Sequence, residues 1–229
     1  MRRIINYYTI LLSKCHGNSK MQFAMSSTVH ADLLWWQVHL LKFNGTRSIT
    51  PTVFITHKEG DNMYIATDAC TTGYGAIFGK YWLHGTWTDE QDKQSRSNDT
   101  SSTTTILKRD SMPYKELLSI VIATATWGHL FTGHNMTFNV DCQPIVYALN
   151  KGDSRRANIM HLIRIFTSLA IKYNFNYRII HIAGVLNIYA DSLSRSQITT
   201  FHTQSQQHQS HPLSFHLLPT IPIIPHCSL

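Results

Sequence analysis

Residues 30–43, HADLLWWQVHLLKF, space Leu33, Trp36, Leu40 and Leu41 along one face of a helix, and Asn44-Gly45 supplies its stop. From Thr52 the alternation becomes that of strands. TVFITH, MYIATDA and YGAIFGKYWLHGTW, separated by Gly-Asp-Asn and Thr-Thr-Gly turns, predict an antiparallel meander. Helical spacing returns where Ser111 and Pro113 open a helix running to about Leu130, with Leu117, Ile120, Val121 and Ala125 on one face. A strand at MTFNVD, a short helix at PIVYALN and a longer helix near 158–174 come next. The strand YRIIHI and a last helix from about Asn187 complete the pattern. The order β-β-β-α-β-α-α-β-α predicts an α/β fold in which helical crossovers set the later strands parallel to the first.

This pattern bounds one domain over residues 63–196. The first 62 residues precede it with the helix at about 30–43, and residues 197–229, rich in Gln, His and Pro, read as a disordered low-complexity tail. Within the domain, residues 88–111 are polar and of low complexity, and predict a mobile loop. The N-terminal MRRIINYYTILLSK has a basic start and a short apolar run, but two tyrosines and no small-residue cleavage site make it a buried element and not a targeting peptide.

At 229 residues and 43% hydrophobic content the chain can bury a full core. Its 20 Lys and Arg against 13 Asp and Glu leave a net charge of +7, which suits a polyanionic partner and equally an ordinary basic protein. No apolar run approaches the roughly 18 residues that span a bilayer, which excludes an integral membrane helix. Cys15, Cys70, Cys142 and Cys227 form no CxxC pair, which points to a reducing compartment, cytoplasm or nucleus, and away from zinc.

The scarce acids fall at element ends. Asp68 lies near the end of the first regular strand, and Asp141 terminates the strand after the long helix. Glu116 is expected in the first turn of that helix, and Asp191 in the early turns of the last one, where Asn187 would cap it. Taken singly each has a plain explanation, since acids favour helix N-termini and turns. Gathered at one edge of a sheet, all four would repel one another unless hard cations with oxygen ligands sat among them, magnesium first. Two such ions roughly 4 Å apart clamp the attacking and leaving oxygens of a phosphoryl displacement.

TDACTTGYGA at 67–76, KEL at 115–117, NVDCQPIVYALNKGDSRR at 139–156 and HIAGVLNIYADSLSR at 181–195 occur in this order over about Met63–Arg195. Together they resemble the ribonuclease H domain of retroelement reverse transcriptases, in particular DIRS-type retrotransposons and more loosely gypsy-type elements. The resemblance implies a ribonuclease H-like fold, a mixed five-stranded sheet (antiparallel meander plus two parallel strands) flanked by helices. It implies a site of Asp68, Glu116, Asp141 and Asp191 holding two Mg2+ ions, with Mn2+ as a substitute and Asp68 shared between them. The implied reaction is endonucleolytic hydrolysis of the RNA strand of an RNA/DNA hybrid, leaving a 5′-phosphate and a 3′-hydroxyl. His181 falls where the family often has a loop histidine that assists proton movement or product departure. Between Ile180 and Ile182 it reads equally as a core histidine of a strand.

On the same resemblance, Lys151, Arg155, Arg156 and Arg195 become phosphate contacts, which bind without reading sequence, and Asn187 supports Asp191 from behind. Residues 1–62 resemble the segment connecting polymerase and ribonuclease domains, so the expected partner is a reverse transcriptase domain in the parent polyprotein. A Tyr-x-Asp-Asp strand turn, which a polymerase needs, does not occur in the sequence. The chain departs from the family pattern at Cys70, usually Ser, and at Cys142, commonly Asn. Two other readings stand beside the nuclease: a catalytically silent nucleic-acid-binding remnant of the same fold, and a transposase- or integrase-like relative.

Overall fold

The computed structural model describes residues 24–40, 53–88, 111–207 and 216–217. The chain divides into two units, Met1–Pro51 and Thr52–Leu229. In the first, helix α1 (Ser27–Leu40) begins three residues before the stretch picked out by hydrophobic spacing. Its buried positions are Val29, Asp32 and Trp35, one face at i, i+3 and i+6, whereas Leu34 and Val38 are exposed. The face predicted from Leu33 and Trp36 is therefore rotated.

The second unit is built on β1 (Ile65–Ala69), β2 (Gly73–Phe78), β3 (Tyr81–Thr86), α2 (Ser111–Trp127), β4 (Asn135–Val140), α3 (Gln143–Lys151), α4 (Ala157–Lys172), β5 (Asn176–His181), α5 (Ile188–Ser194), α6 (Ile198–Gln207) and β6 (His216–Leu217). The sheet runs β5-β4-β1-β2-β3-β6. β1, β2 and β3 are antiparallel neighbours, and β4 and β5 run parallel to β1. This is the expected mixed five-stranded sheet flanked by helices. The two-residue β6, parallel to β3, extends it by a short edge.

The meander forms from different residues than the alternation suggested. TVFITH is not a strand, and YGAIFGKYWLHGTW is two strands folded back at Gly79, which has φ +51°. The reason is tertiary: residues 53–57 lie against β4, and both edges of β4 are occupied, by β1 and β5. They are instead held by side chains. Asn135 Nδ2 donates to the Val53 carbonyl and Thr137 Oγ1 to that of Ile55, both at 2.9 Å. Asn139, next on the same face of β4, donates to the Ile65 carbonyl at 2.8 Å. Residues 53–57 thus belong with the second unit.

The opposite face of β4, with Met136, Phe138 and Val140, packs on α2 through Leu117, Ile120 and Val121, and on α4 through Ile159, Ile163 and Phe166. A second, smaller core lies where Ala66, Ile77 and Trp82 meet Tyr189, Leu193 and Phe201. Phe201 belongs to α6, inside the stretch read from composition as a disordered tail. That reading fails over residues 198–207 because Phe201, fully buried, anchors the helix on Trp82 and Tyr189. Residues 89–110 of the polar stretch, the N-terminal MRRIINYYTILLSK and most of the tail beyond 207 lie outside the described residues. Among the described residues no helix is long and apolar enough to cross a membrane.

Candidate metal centre

β1 and β4 are parallel with Thr67 opposite Val140, so the next residue along each strand, Asp68 and Asp141, emerge side by side at the same end of the sheet. Such carboxyl ends are where α/β sheets collect ligands. α2 crosses this end and adds Glu116, 6% exposed. Glu116 stands beyond the first turn of α2, which contains no acid, so the helix dipole does not account for it. Ligand oxygens of Asp68, Glu116 and Asp141 all lie within 4.8 Å of one another.

Burial dominates the electrostatics. Asp68 is pushed from 3.8 up to about 7, first by loss of solvent and then by Asp141 and Asp191, against a hydrogen bond from Ser194. Glu116 rises well above the usual carboxylate range, through burial and then the charges of Asp68 and Asp141. Asp141 is raised by burial and by Asp191. Asp68 Oδ2 and Glu116 Oε2 are buried and, among the described residues, have no hydrogen-bond partner. Unsatisfied buried carboxylate oxygens are costly unless paired or bound to a cation. Three clustered carboxylates, two of them with an open oxygen, are the donor set that a hard divalent cation takes, so the residues present fit such a cation.

Asp191 does not join this trio. It lies in the first turn of α5 and shares with Asp141 a cleft that is also lined by Gly184, Val185, Gln197 and Thr200. Its Oδ1 accepts from Arg195 Nε at 2.8 Å and lies 2.8 Å from Arg195 Nη2 in an ion pair. Asn187 occupies the position before α5 but makes no side-chain cap there. Its Nδ2 donates to the Thr67 carbonyl at 2.9 Å, tying α5 to β1, and its buried Oδ1 has no partner among the described residues.

His181 ends β5 and is exposed, which removes the core-histidine reading. Its Nε2 lies 3.1 Å from the Asp141 carbonyl oxygen, at the rim of the acid cluster. Lys151 ends α3, and Arg155 and Arg156, both exposed, follow in the turn before α4. Lys151 sits 3.7 Å from Asp153 and over the Tyr147 ring.

Several contributors are not evident from residue type alone. Gly75 admits α5 onto β2: a Cβ there would fall 2.5 Å from the Ser194 nitrogen and 2.6 Å from Leu193 Cβ. Ser194, brought in by that approach, donates its hydroxyl to the Asp191 carbonyl at 2.9 Å and is near enough to Asp68 to offset part of the rise in its pKa. Cys70 accepts from the Gly73 N–H at 3.2 Å and donates to the Ser194 carbonyl at 3.0 Å, fastening the β1–β2 turn to the end of α5. Lys115, beside Glu116 but buried, donates to the Thr71 carbonyl at 2.7 Å and stands over Trp87. Cys142, a free thiol next to Asp141, is pushed up to about 12 by burial and then by Glu116. The Gly-x-Gly spacing within TDACTTGYGA was the visible signal for the α5 approach.

Solved structures similar to this chain include RNase H1 from the halophilic archaeon Halobacterium salinarum NRC-1, 12% identical with a TM-score of 0.42, covering 59% of this chain and 96% of that one. Another is the N-terminal RNase H domain of a Mycobacterium tuberculosis protein, solved as a fusion with maltose-binding protein. It is 13% identical with a TM-score of 0.38, covering 64% of this chain and 96% of that one. No protein-family model and no curated protein sequence matches the chain.

Proposed function

We propose that this chain carries a ribonuclease H domain of a retroelement reverse transcriptase, which hydrolyses the RNA strand of RNA/DNA hybrids with divalent cations. The observation that carries the reading is the trio Asp68, Glu116 and Asp141, with buried oxygens on Asp68 and Glu116 that no other described group satisfies. A pair of magnesium ions held there would supply a polarising charge at the scissile phosphate and a nucleophilic water near neutral pH. Asp68 and Asp141 from the sheet and Glu116 from α2 would hold the cations, and Asp191 would close the set from α5.

The chain's own residues do the rest. Asn187 holds α5 against β1 so that Asp191 stays beside Asp141, and the Ser194 hydroxyl fixes the end of that helix through the Asp191 carbonyl. His181, at the rim, is placed to hold or pass a proton as the 3′-hydroxyl departs. Lys151, Arg155 and Arg156 offer phosphate contacts that position the duplex without reading its sequence. The retroelement context rests on the order and spacing of the four motifs between residues 67 and 195.

Cleavage of a labelled RNA/DNA hybrid with magnesium tests this reading, comparing the full chain with Asp68→Asn. RNA-strand products that need the cation and vanish in the variant support it. Binding of the hybrid without any cation-dependent product would identify a silent binding domain instead.

A further inference from the structure

Asp191 differs from the other acids of the cluster in having a cation already in contact. Its Oδ1 accepts a hydrogen bond from Arg195 Nε and lies in ion-pair contact with Nη2, both at 2.8 Å, across one turn at the end of α5. Among the described residues neither Asp68, Glu116 nor Asp141 has a lysine or arginine at ion-pair distance. The pair is half open to solvent, with side-chain exposures of 53% for Arg195 and 40% for Asp191, and both residues line the cleft that reaches Asp141.

Resting on the cation-site reading above, we propose that Arg195 is a built-in counter-ion: it competes with a divalent cation for Asp191 and gives that carboxylate up when a nucleic-acid phosphate draws the guanidinium away. A carboxylate oxygen engaged by two charged donors has little left for a metal. A guanidinium fork, however, fits a phosphate as well as it fits a carboxylate. The exchange is cheap, because an exposed pair four residues apart on a helix is weakly held. Cation loading and strand binding would then strengthen each other, and by linkage the coupling must be reciprocal.

The test is Mn2+ binding to the full chain without nucleic acid, read from the free-ion electron paramagnetic resonance signal. Arg195→Gln is expected to tighten Mn2+ by about two- to fivefold, the range set by such pairs. That gain is expected to disappear when Asp191→Asn is also present. Unchanged affinity in Arg195→Gln overturns the proposal. So does an equal gain in the Asp191→Asn background, since that would be the general field of a lost positive charge. Adding a hybrid whose RNA strand is 2′-O-methylated should raise Mn2+ affinity more in the wild type than in Arg195→Gln, and equal increments also refute the competition. Asp68→Asn separates the two layers. If it fails to weaken Mn2+, the cation site itself is wrong and the proposal falls with it; if it weakens Mn2+ while Arg195→Gln does nothing, only the competition is wrong.

Discussion

Removing the charge of Asp68 should stabilise the protein when no cation is present, although it destroys the proposed site. The Asp68 carboxyl, 4% exposed, rises from its ordinary 3.8 to about 7 on folding, mainly through burial. Between those values the folded state holds a proton that the unfolded chain has lost, so stability falls as pH rises from about 4 to about 7 and stays low above. At 1.36 kcal/mol per pH unit, the rise from 3.8 to about 7 corresponds to about 4 kcal/mol against folding at pH 8. Asn at this position keeps the shape without the charge. Thermal unfolding in EDTA at pH 8 should therefore place Asp68→Asn above the wild type. A domain of this size shifts by about 2–4 °C per kcal/mol, so even a third of the full effect gives about 3–5 °C. The gap should close at pH 4, where the wild-type carboxyl is itself protonated. Magnesium should raise the wild-type midpoint and leave the variant nearly unmoved, because only the former binds it well. An Asp68→Asn protein less stable than the wild type in EDTA at pH 8 would refute the argument that these acids are held together at a cost.

Gly75→Ala should lose about 1–3 kcal/mol in chemical denaturation, because its Cβ would fall 2.5 Å from the Ser194 nitrogen and must push α5 off β2. The same displacement should lower cation affinity in a Mn2+ titration. Phe201→Ala should cost about 3–5 kcal/mol by urea titration, since the ring is fully buried against Trp82 and Tyr189. A loss near zero would mean that α6 does not cover the second core. Replacing Lys151, Arg155 and Arg156 together with Gln should weaken hybrid binding and flatten its dependence on salt by up to about three phosphate contacts' worth, measured by anisotropy across a salt series.

Local pattern made most of the second unit legible. α3 and α4 declare themselves through Ile145, Val146 and Leu149, and through Ile159, Leu162, Ile163 and Phe166, all buried as helical spacing requires. Gly152, left-handed at φ +67°, ends α3 where the sequence places a glycine. The acids were legible as exceptions to burial, because Asp68 and Asp141 interrupt apolar strands. Errors arose where a segment's fate depends on what else is present. TVFITH alternates like a strand, but β4 has no free edge. The tail looks disordered by composition, yet one phenylalanine finds a pocket.

Sequence alone therefore determined the α/β class and the order of elements from β4 to α5, because periodicity is a local property. Only the tertiary structure decided that Asp68, Glu116 and Asp141 gather while Asp191 stands aside on Arg195. It also decided that His181 is exposed at the rim and that Asn187 ties α5 to β1 without capping it. Those outcomes depend on parallel strand register, on the path of α2 across the sheet and on the close approach that Gly75 permits; the Gly-x-Gly spacing signals only the last of these, and the other two are not encoded in the spacing of residues along the chain.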